Sequence, residues 1–355
     1  MRYPLASQQE LGQVSFSSAY LYNVRRPEQK ENEMKILHQT SFFAIQLSLL
    51  LGVWITSTDV IAQTQTMAAS NAARSSGRPV VIPVTIKVKE KASETELQNI
   101  DLVVSEDGEA QTILSIRGQG TNSPITLAVL IQEDLVPPVS NEIKGIAEFV
   151  RRLPKGSRVM VGYLRTGSLL TRQKFTTDLE KAAKALRPPI GFPSSGPYNP
   201  YVEVVEALKK FDAQPLGRRA VLLVSDGLDI SRGVDSSSPT QSIDLQRAVS
   251  DSQRRSVAIY GFYAPTQAAA SNSLLAANAQ SSLLRLSNET GGHAFFQGTG
   301  APVSFDPYIK ELDVALDRQA ALTFLSTHLS KGFHRIEINS ASPGVKISYP
   351  SGYVR

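Results

Sequence analysis

The chain has 355 residues, 41% hydrophobic and 19% charged, which is ample apolar material for a core and an ordinary globular balance. Its net charge of +5 comes from scattered lysines and arginines; no basic run is interleaved with aromatics, so nucleic-acid binding is not implied. Cysteine is absent, which excludes disulfides, thiolate metal sites and a cysteine nucleophile and is compatible with an oxidising compartment.

From Ile36 to Thr58 there is no Asp, Glu, Lys or Arg, and an apolar run, FFAIQLSLLLGVWI, spans Phe42 to Ile55. Lys35 precedes it, and Val60 and Ala62 have the spacing of small residues at a cleavage site. This is the pattern of a secretory signal peptide cut after Ala62; the other reading is an uncleaved membrane anchor. Both place the rest of the chain outside the cytoplasm, periplasmic or secreted. Met34 directly before Lys35 makes residues 1–33 either an over-extended start or a long n-region.

Residues 1–62 are thus an extension with a signal or anchor, and 63–78, rich in Ala, Ser, Thr and Gln, read as a linker. Over 79–117 the pattern turns to strands. Val84, Ile86 and Val88 alternate with polar residues, and Glu106-Asp107-Gly108 forms the turn between two further strands. GQGTNS (118–123) joins this region to the next; it precedes a strand rather than following one, so it reads as a linker and not a dinucleotide loop.

From Pro124 strands and helices alternate. LAVLIQ (127–132) is a buried strand. A helix over 140–154 follows, capped by Ser140, with Ile143, Ile146, Ala147, Val150 and Leu153 on one face. SRVMVGYL is a strand with which SLLTRQKF pairs back. Thr177 and Glu180 form a capping box for the next helix, and Asn199-Pro200 open another whose inward face includes Tyr201. RAVLLVSDG (219–227) is a second buried strand ending in acid. A helix over about 241–254, the strand SVAIYGFY, a helix stopped at Gly291-Gly292, a short strand HAFF and a helix capped by Asp306 complete the series. The tail returns to strands in ALTFLSTH, FHRIEINS and VKISYP, the first two flanking a hairpin turn at Ser330–Gly332.

The expected fold is α/β: a doubly wound, mostly parallel sheet over 124–319. A small β add-on is expected from segments on either side of it, with strands of 320–355 packing against 79–117. In such a sheet ligands meet the carboxyl ends of the strands. Two strands end in acids there, one at Gln132, Glu133 and Asp134 and the other at Ser225, Asp226 and Asp229.

The chain resembles the von Willebrand factor A (VWA) fold, and within it the bacterial VWFA-related family, from about residue 80 to the end. The resemblance is carried by VSEDGEAQTI, LAVLI, AVLLVSDGLDIS, LSNETGGHAFF and the ending FHRIEINS with VKISYPSGYV. It implies a binding or adhesion domain. In the metal-binding type it implies Mg²⁺ held by Asp-x-Ser-x-Ser after the first strand, a Thr in a later loop and an Asp at the fourth strand, an oxygen set that suits a hard ion. In this sequence the leading Asp position is Gln132, the two Ser positions are Asp134 and Val136, and the Thr position falls near Tyr198; the last Asp is Asp226. A metal-free site is therefore expected, with no cofactor. Its binding edge would comprise Gln132, Glu133, Asp134, Tyr198, Asp226 and Asp229, facing a protein partner. The alternative is a rearranged Mg²⁺ site on Asp134 and Asp226. Asp226 in Ser-Asp-Gly also suits an Asx-turn, and Glu133 and Asp134 read as solvated residues at a loop mouth.

An enzyme is not expected. No H-E-x-x-H, P-loop or G-x-S-x-G occurs, and a hydrolase using the strand-end acids would lack a visible nucleophile–base pair. His328 and His334 flank the expected hairpin turn and read as surface residues. Membrane contact is implied only through an uncleaved anchor.

Overall fold

The computed structural model describes residues 77–88, 101–118, 120–190, 199–342 and 344–355. The expected signal or anchor and nearly all of the expected linker lie outside them, as does Tyr198. Among the described residues, no helix is long and apolar enough to cross a membrane.

The continuous apolar runs become the middle of a sheet. Every residue of β4 (Thr126–Gln132), β7 (Arg219–Ser225) and β8 (Ala258–Tyr263) is buried, as strands covered on both faces must be. With β5 (Arg158–Arg165), β6 (Ser168–Thr176) and β9 (Ala294–Phe295) they form a six-stranded sheet in the order β6-β5-β4-β7-β8-β9. All neighbours are parallel except β6, which returns antiparallel from β5. Counted from β4, the order is 3-2-1-4-5-6, and the direction of winding changes between β4 and β7, the point at which ligands meet the carboxyl ends of such sheets.

Alternate residues of these strands pack to opposite sides. Leu127, Val129 and Leu222 meet α1 (Ile143–Arg152), α2 (Leu179–Lys184) and α7 (Asp306–Asp317) in one cluster. Ala128, Leu130 and Leu223 meet α3 (Tyr201–Lys209), α4 (Ile243–Arg255), α5 (Gln267–Ser271) and α6 (Ser273–Glu289) in another. α6 ends at the two glycines: a Cβ on Gly292 would lie 1.9 Å from the Ile259 carbonyl oxygen, so only glycine lets the chain pass β8 there.

Three caps differ from expectation. The two prolines start a 3-10 turn at Pro137–Glu142, so Ser140 already lies inside a helical stretch and caps nothing. β6 runs on to Thr176, and Asp178 rather than Thr177 accepts the first free amide of α2, from Lys181 at 2.9 Å. Asp306 is the first residue of α7 and not its cap; Glu142 reaches over instead and accepts from the Phe305 amide at 2.7 Å.

A second, seven-stranded sheet runs β12-β1-β10-β3-β2-β11-β13. Its strands are β1 (Arg78–Val88), β2 (Leu102–Glu106), β3 (Glu109–Arg117), β10 (Gln319–Ser326), β11 (Phe333–Ser340), β12 (Val345–Ser348) and β13 (Gly352–Val354). β1 takes in Arg78, the last residue of the expected linker. β10 and β11 do not form the expected hairpin, because the β2–β3 pair lies between them. One face carries the core of this sheet, with Ile82, Val84, Val104, Leu322, Phe324 and Ile338 in contact.

The two sheets share polar ties. Thr85 Oγ1 of β1 lies 3.4 Å from the Tyr260 hydroxyl of β8, and Ser256 Oγ donates to the Val81 carbonyl of β1. Gln253 Nε2 on α4 donates to the Glu289 carbonyl at 2.8 Å and to Ser351 Oγ at 3.1 Å, and the Ser351 amide meets the same carbonyl at 3.2 Å.

Candidate functional site

At the carboxyl ends of β4 and β7 the structure brings Gln132, Asp134 and Asp226 together. Gln132, the last residue of β4, is 1% exposed. Its carboxamide oxygen accepts from Ser225 Oγ and from the Asp226 amide at 3.3 Å, and its Nε2 donates to Asp134 Oδ1 at 2.9 Å. The side chain therefore bridges the two strand ends. An aspartate there could accept from Ser225 but could not donate to Asp134.

Asp226 makes the Asx-turn that Ser-Asp-Gly implies, its Oδ1 accepting from the Leu228 amide at 2.9 Å. Its Oδ2 accepts from Thr266 Oγ at 2.6 Å. Thr266 caps α5, and the segment beside it ties to the loop after β4, Val136 N donating to the Pro265 carbonyl at 3.0 Å. Burial pushes the Asp226 carboxyl up to about 6, with the nearby Asp134 charge adding to the rise and the Thr266 and Leu228 bonds opposing it. Asp134, half-buried, is also raised by burial, against the bond from Gln132. The following Gly227 has φ of +70 and no room for a Cβ, which would stand 2.5 Å from Leu283. Its carbonyl accepts from the buried Tyr201 hydroxyl at 2.5 Å.

The other expected residues go elsewhere. Asp229 is 3% exposed; its Oδ1 accepts from the Ser231 amide and hydroxyl, and its Oδ2 from Ser242 Oγ at 2.5 Å. Ser242 in turn caps α4 through the Leu245 amide at 3.1 Å. Glu133 is not solvated at a loop mouth but fully buried, since alternation along the strand turns it away from Gln132 and Asp134. It pairs with Arg187 and accepts from the Ile190 amide at 3.0 Å, and the guanidinium lies 4.4 Å over the Tyr163 ring. Asp134 is likewise no freely solvated residue. Thr266, Arg187 and Tyr163 carry no local sequence signal for these contacts, because each partner is remote in the chain.

These residues do not fit the hard-ion site that the resemblance implies. Both oxygens of Asp226 and of Asp229, and the only oxygen of the Gln132 side chain, already accept from the protein. The hydroxyl positions are an acid and Val136. A Mg²⁺ site needs oxygens with lone pairs directed at one point and several retained waters. A cavity of about 300 Å³ lined by Ile125, Thr126, Arg158 and Arg218 sits at the opposite, amino ends of the strands.

No family model matches the chain, and no curated protein does. Among solved structures, an aerotolerance-related membrane protein from Bacteroides fragilis is similar at 12% identity and a TM-score of 0.38, the match covering 54% of this chain and 98% of that one. BatB from Bacteroides thetaiotaomicron is similar at 10% identity and a TM-score of 0.35, covering 53% of this chain and 95% of that one. A von Willebrand factor type A protein from Catenulispora acidiphila is similar at 11% identity and a TM-score of 0.38, covering 78% of this chain and 74% of that one. At such scores no residue role transfers, and the fold stands on its own geometry. By its strand order and its helices on both faces, the α/β part of the chain is an open, doubly wound α/β domain.

Proposed function

We propose that the protein is an extracytoplasmic interaction or adhesion module that engages a protein partner at the carboxyl edge of the six-stranded sheet without a metal ion. The observation that carries this reading is the Gln132 carboxamide. It stands where the resemblance would put the leading metal ligand, and it joins Ser225, Asp226 and Asp134 by hydrogen bonds, bridging the two strand ends without an ion. The uncharged run over Phe42–Ile55, with Val60 and Ala62 beyond it, supports export of the domain. A binding role rather than catalysis is supported by the lack of any nucleophile–base motif in the sequence.

Thermal melting and calorimetry with Mg²⁺ test the reading. We expect no shift in Tm at millimolar Mg²⁺, since a native-state ligand must raise it by binding linkage. A Mg²⁺-dependent rise that Asp226→Ala abolishes would instead establish the rearranged site on Asp134 and Asp226. For the partner, mild crosslinking in the native host should capture a protein whose yield falls with Asp134→Lys at the half-buried edge. Capture unaffected by that charge reversal would move the interface elsewhere.

A further inference from the structure

The second sheet holds a cluster of carboxylates and imidazoles that the strand-end site does not use. Its members come from the β2–β3 hairpin and from the strands behind the α/β domain: Glu106 ends β2, Asp107 lies in the turn, Glu109 opens β3, His328 follows β10, and His334 lies near the start of β11. Both histidines were expected at the surface. His334 is instead 3% exposed, since pairing of β11 with β2 and β13 folds it inward. Its Nδ1 lies 2.8 Å from Asp107 Oδ2, and its Nε2 lies 3.0 Å from the Ser330 carbonyl.

Glu106 is completely buried. Its Oε1 accepts from Ser326 Oγ at 3.0 Å and from the Tyr353 hydroxyl at 2.5 Å. Its Oε2 has no hydrogen bond, and neither does His328 Nδ1, which it faces at 3.4 Å. A buried carboxylate oxygen left without a donor is costly, and here it is aimed at an imidazole nitrogen that is also unpartnered. His328 Nε2 lies 3.6 Å from Glu109 Oε2. A carboxylate on that side favours the tautomer protonated at Nε2, which leaves a lone pair on Nδ1 directed at Glu106.

We propose that Glu106 Oε2, His328 Nδ1 and a carboxylate oxygen of Asp107 bind a divalent transition metal of the zinc class. These ligand atoms all lie within 4.8 Å of one another. Two ligands on a tetrahedral zinc, each at about 2.0–2.1 Å, stand roughly 3.3–3.4 Å apart, which is the separation found between Glu106 Oε2 and His328 Nδ1. Asp107, whose Oδ1 accepts from the Arg335 amide at 2.8 Å and whose Oδ2 faces His334, supplies the third ligand from the turn through a second lone pair of one carboxylate oxygen, and water the fourth. Glu109 and His334 act as outer partners, one holding the His328 tautomer and the other orienting Asp107. An imidazole in the set favours zinc-like ions over Mg²⁺ or Ca²⁺, which take oxygen alone. The ion would tie the β2–β3 turn, ahead of the α/β domain, to the β10–β11 connection behind it.

The test uses the full chain, stripped with a chelator and then titrated with Zn²⁺ alone. One equivalent should bind and raise Tm, and Co²⁺ in its place should show the strong visible absorption of a four-coordinate ion. Glu106→Gln and His328→Asn should each weaken Zn²⁺ binding at least tenfold, and Asp226→Asn should leave it unchanged. Glu106→Gln is suited to remain folded, because its amide oxygen keeps the Ser326 and Tyr353 bonds while its nitrogen donates to His328. A folded, stripped protein that takes up no Zn²⁺ would overturn the proposal and leave a shared proton between Glu106 and His328. Binding equally strong in both variants would overturn it too.

Discussion

At the scale of single residues, Glu133 shows how strongly context decides an acid's role. It neighbours two residues of the candidate edge, yet its side chain is fully buried and turned to the other side of β4, where Arg187 supplies both of its ion-pair nitrogens. Arg187 in turn is held by Tyr163, whose hydroxyl donates to the Arg187 carbonyl at 2.7 Å and whose ring lies under the guanidinium. Removing one member of a buried pair leaves the other charged and unpaired, which typically costs about 3–5 kcal/mol, whereas neutralising both costs far less. Arg187→Ala is therefore expected to lower unfolding stability by that order. Glu133→Gln should cost less, and the double variant should fall well short of the sum of the singles. Urea unfolding of the three variants checks this; additive losses would mean that the pair is not coupled.

At the scale of elements, the legible parts were those with a one-dimensional signature. β4, β7 and β8 announce themselves as apolar runs, and α1 and α3 by apolar faces at helical spacing, because burial on a sheet imposes those patterns locally. What local pattern does not carry is pairing between remote segments. β10 and β11 are neighbours in sequence, so a hairpin was the natural reading; the sheet instead places β3 and β2 between them, with Ile336 and Ile338 of β11 joining the same core as Leu322. The same gap hid the site. The placement of Gln132 and Asp226 at strand ends was readable, but Thr266 on Asp226, Arg187 on Glu133 and the inward turn of His334 depend on contacts across many residues. Helix α3 hides another such case. Glu203 is 1% exposed and neither of its oxygens has a hydrogen bond. Burial pushes its carboxyl up to about 7, the amides near Gly167 and Ser168 offsetting part of that effect. The native state then holds a proton that the unfolded chain, near 4.5, has released. Stability contributed by this group must fall as pH rises from about 4.5 to 7 and stay level above, a change of about 3 kcal/mol. Glu203→Gln removes this dependence. Relative to the parent it should gain about that much between pH 4 and pH 8 in denaturant melts, and a gap that does not change with pH would show the carboxyl to be ionised normally.

At the scale of the whole molecule, the second sheet depends on both ends of the described chain. β1 has β10 on one side and β12 on the other, β3 leans on β10, and β2 on β11. Every described strand ahead of the α/β domain thus has a neighbour supplied from behind it, and Ile82, Val84 and Val104 share one buried cluster with Leu322, Phe324, Ile336 and Ile338. The six-stranded sheet has no such dependence, because β4, β7 and their neighbours pair only among themselves. A chain ending at Asp317 would keep all six of those strands and, of the second sheet, only the β2–β3 pairing. A lone hairpin is marginally stable in water, and β1 would be left without any partner strand. Hydrogen exchange is expected to show the amides of Arg78–Val88 and Leu102–Arg117 unprotected in the truncated chain, while those of β4 and β7 remain slow. The bared strand edges should also make it aggregate. Continued protection over 78–117 would show that this β region holds itself together before the C-terminal strands arrive, contrary to the register that interleaves them.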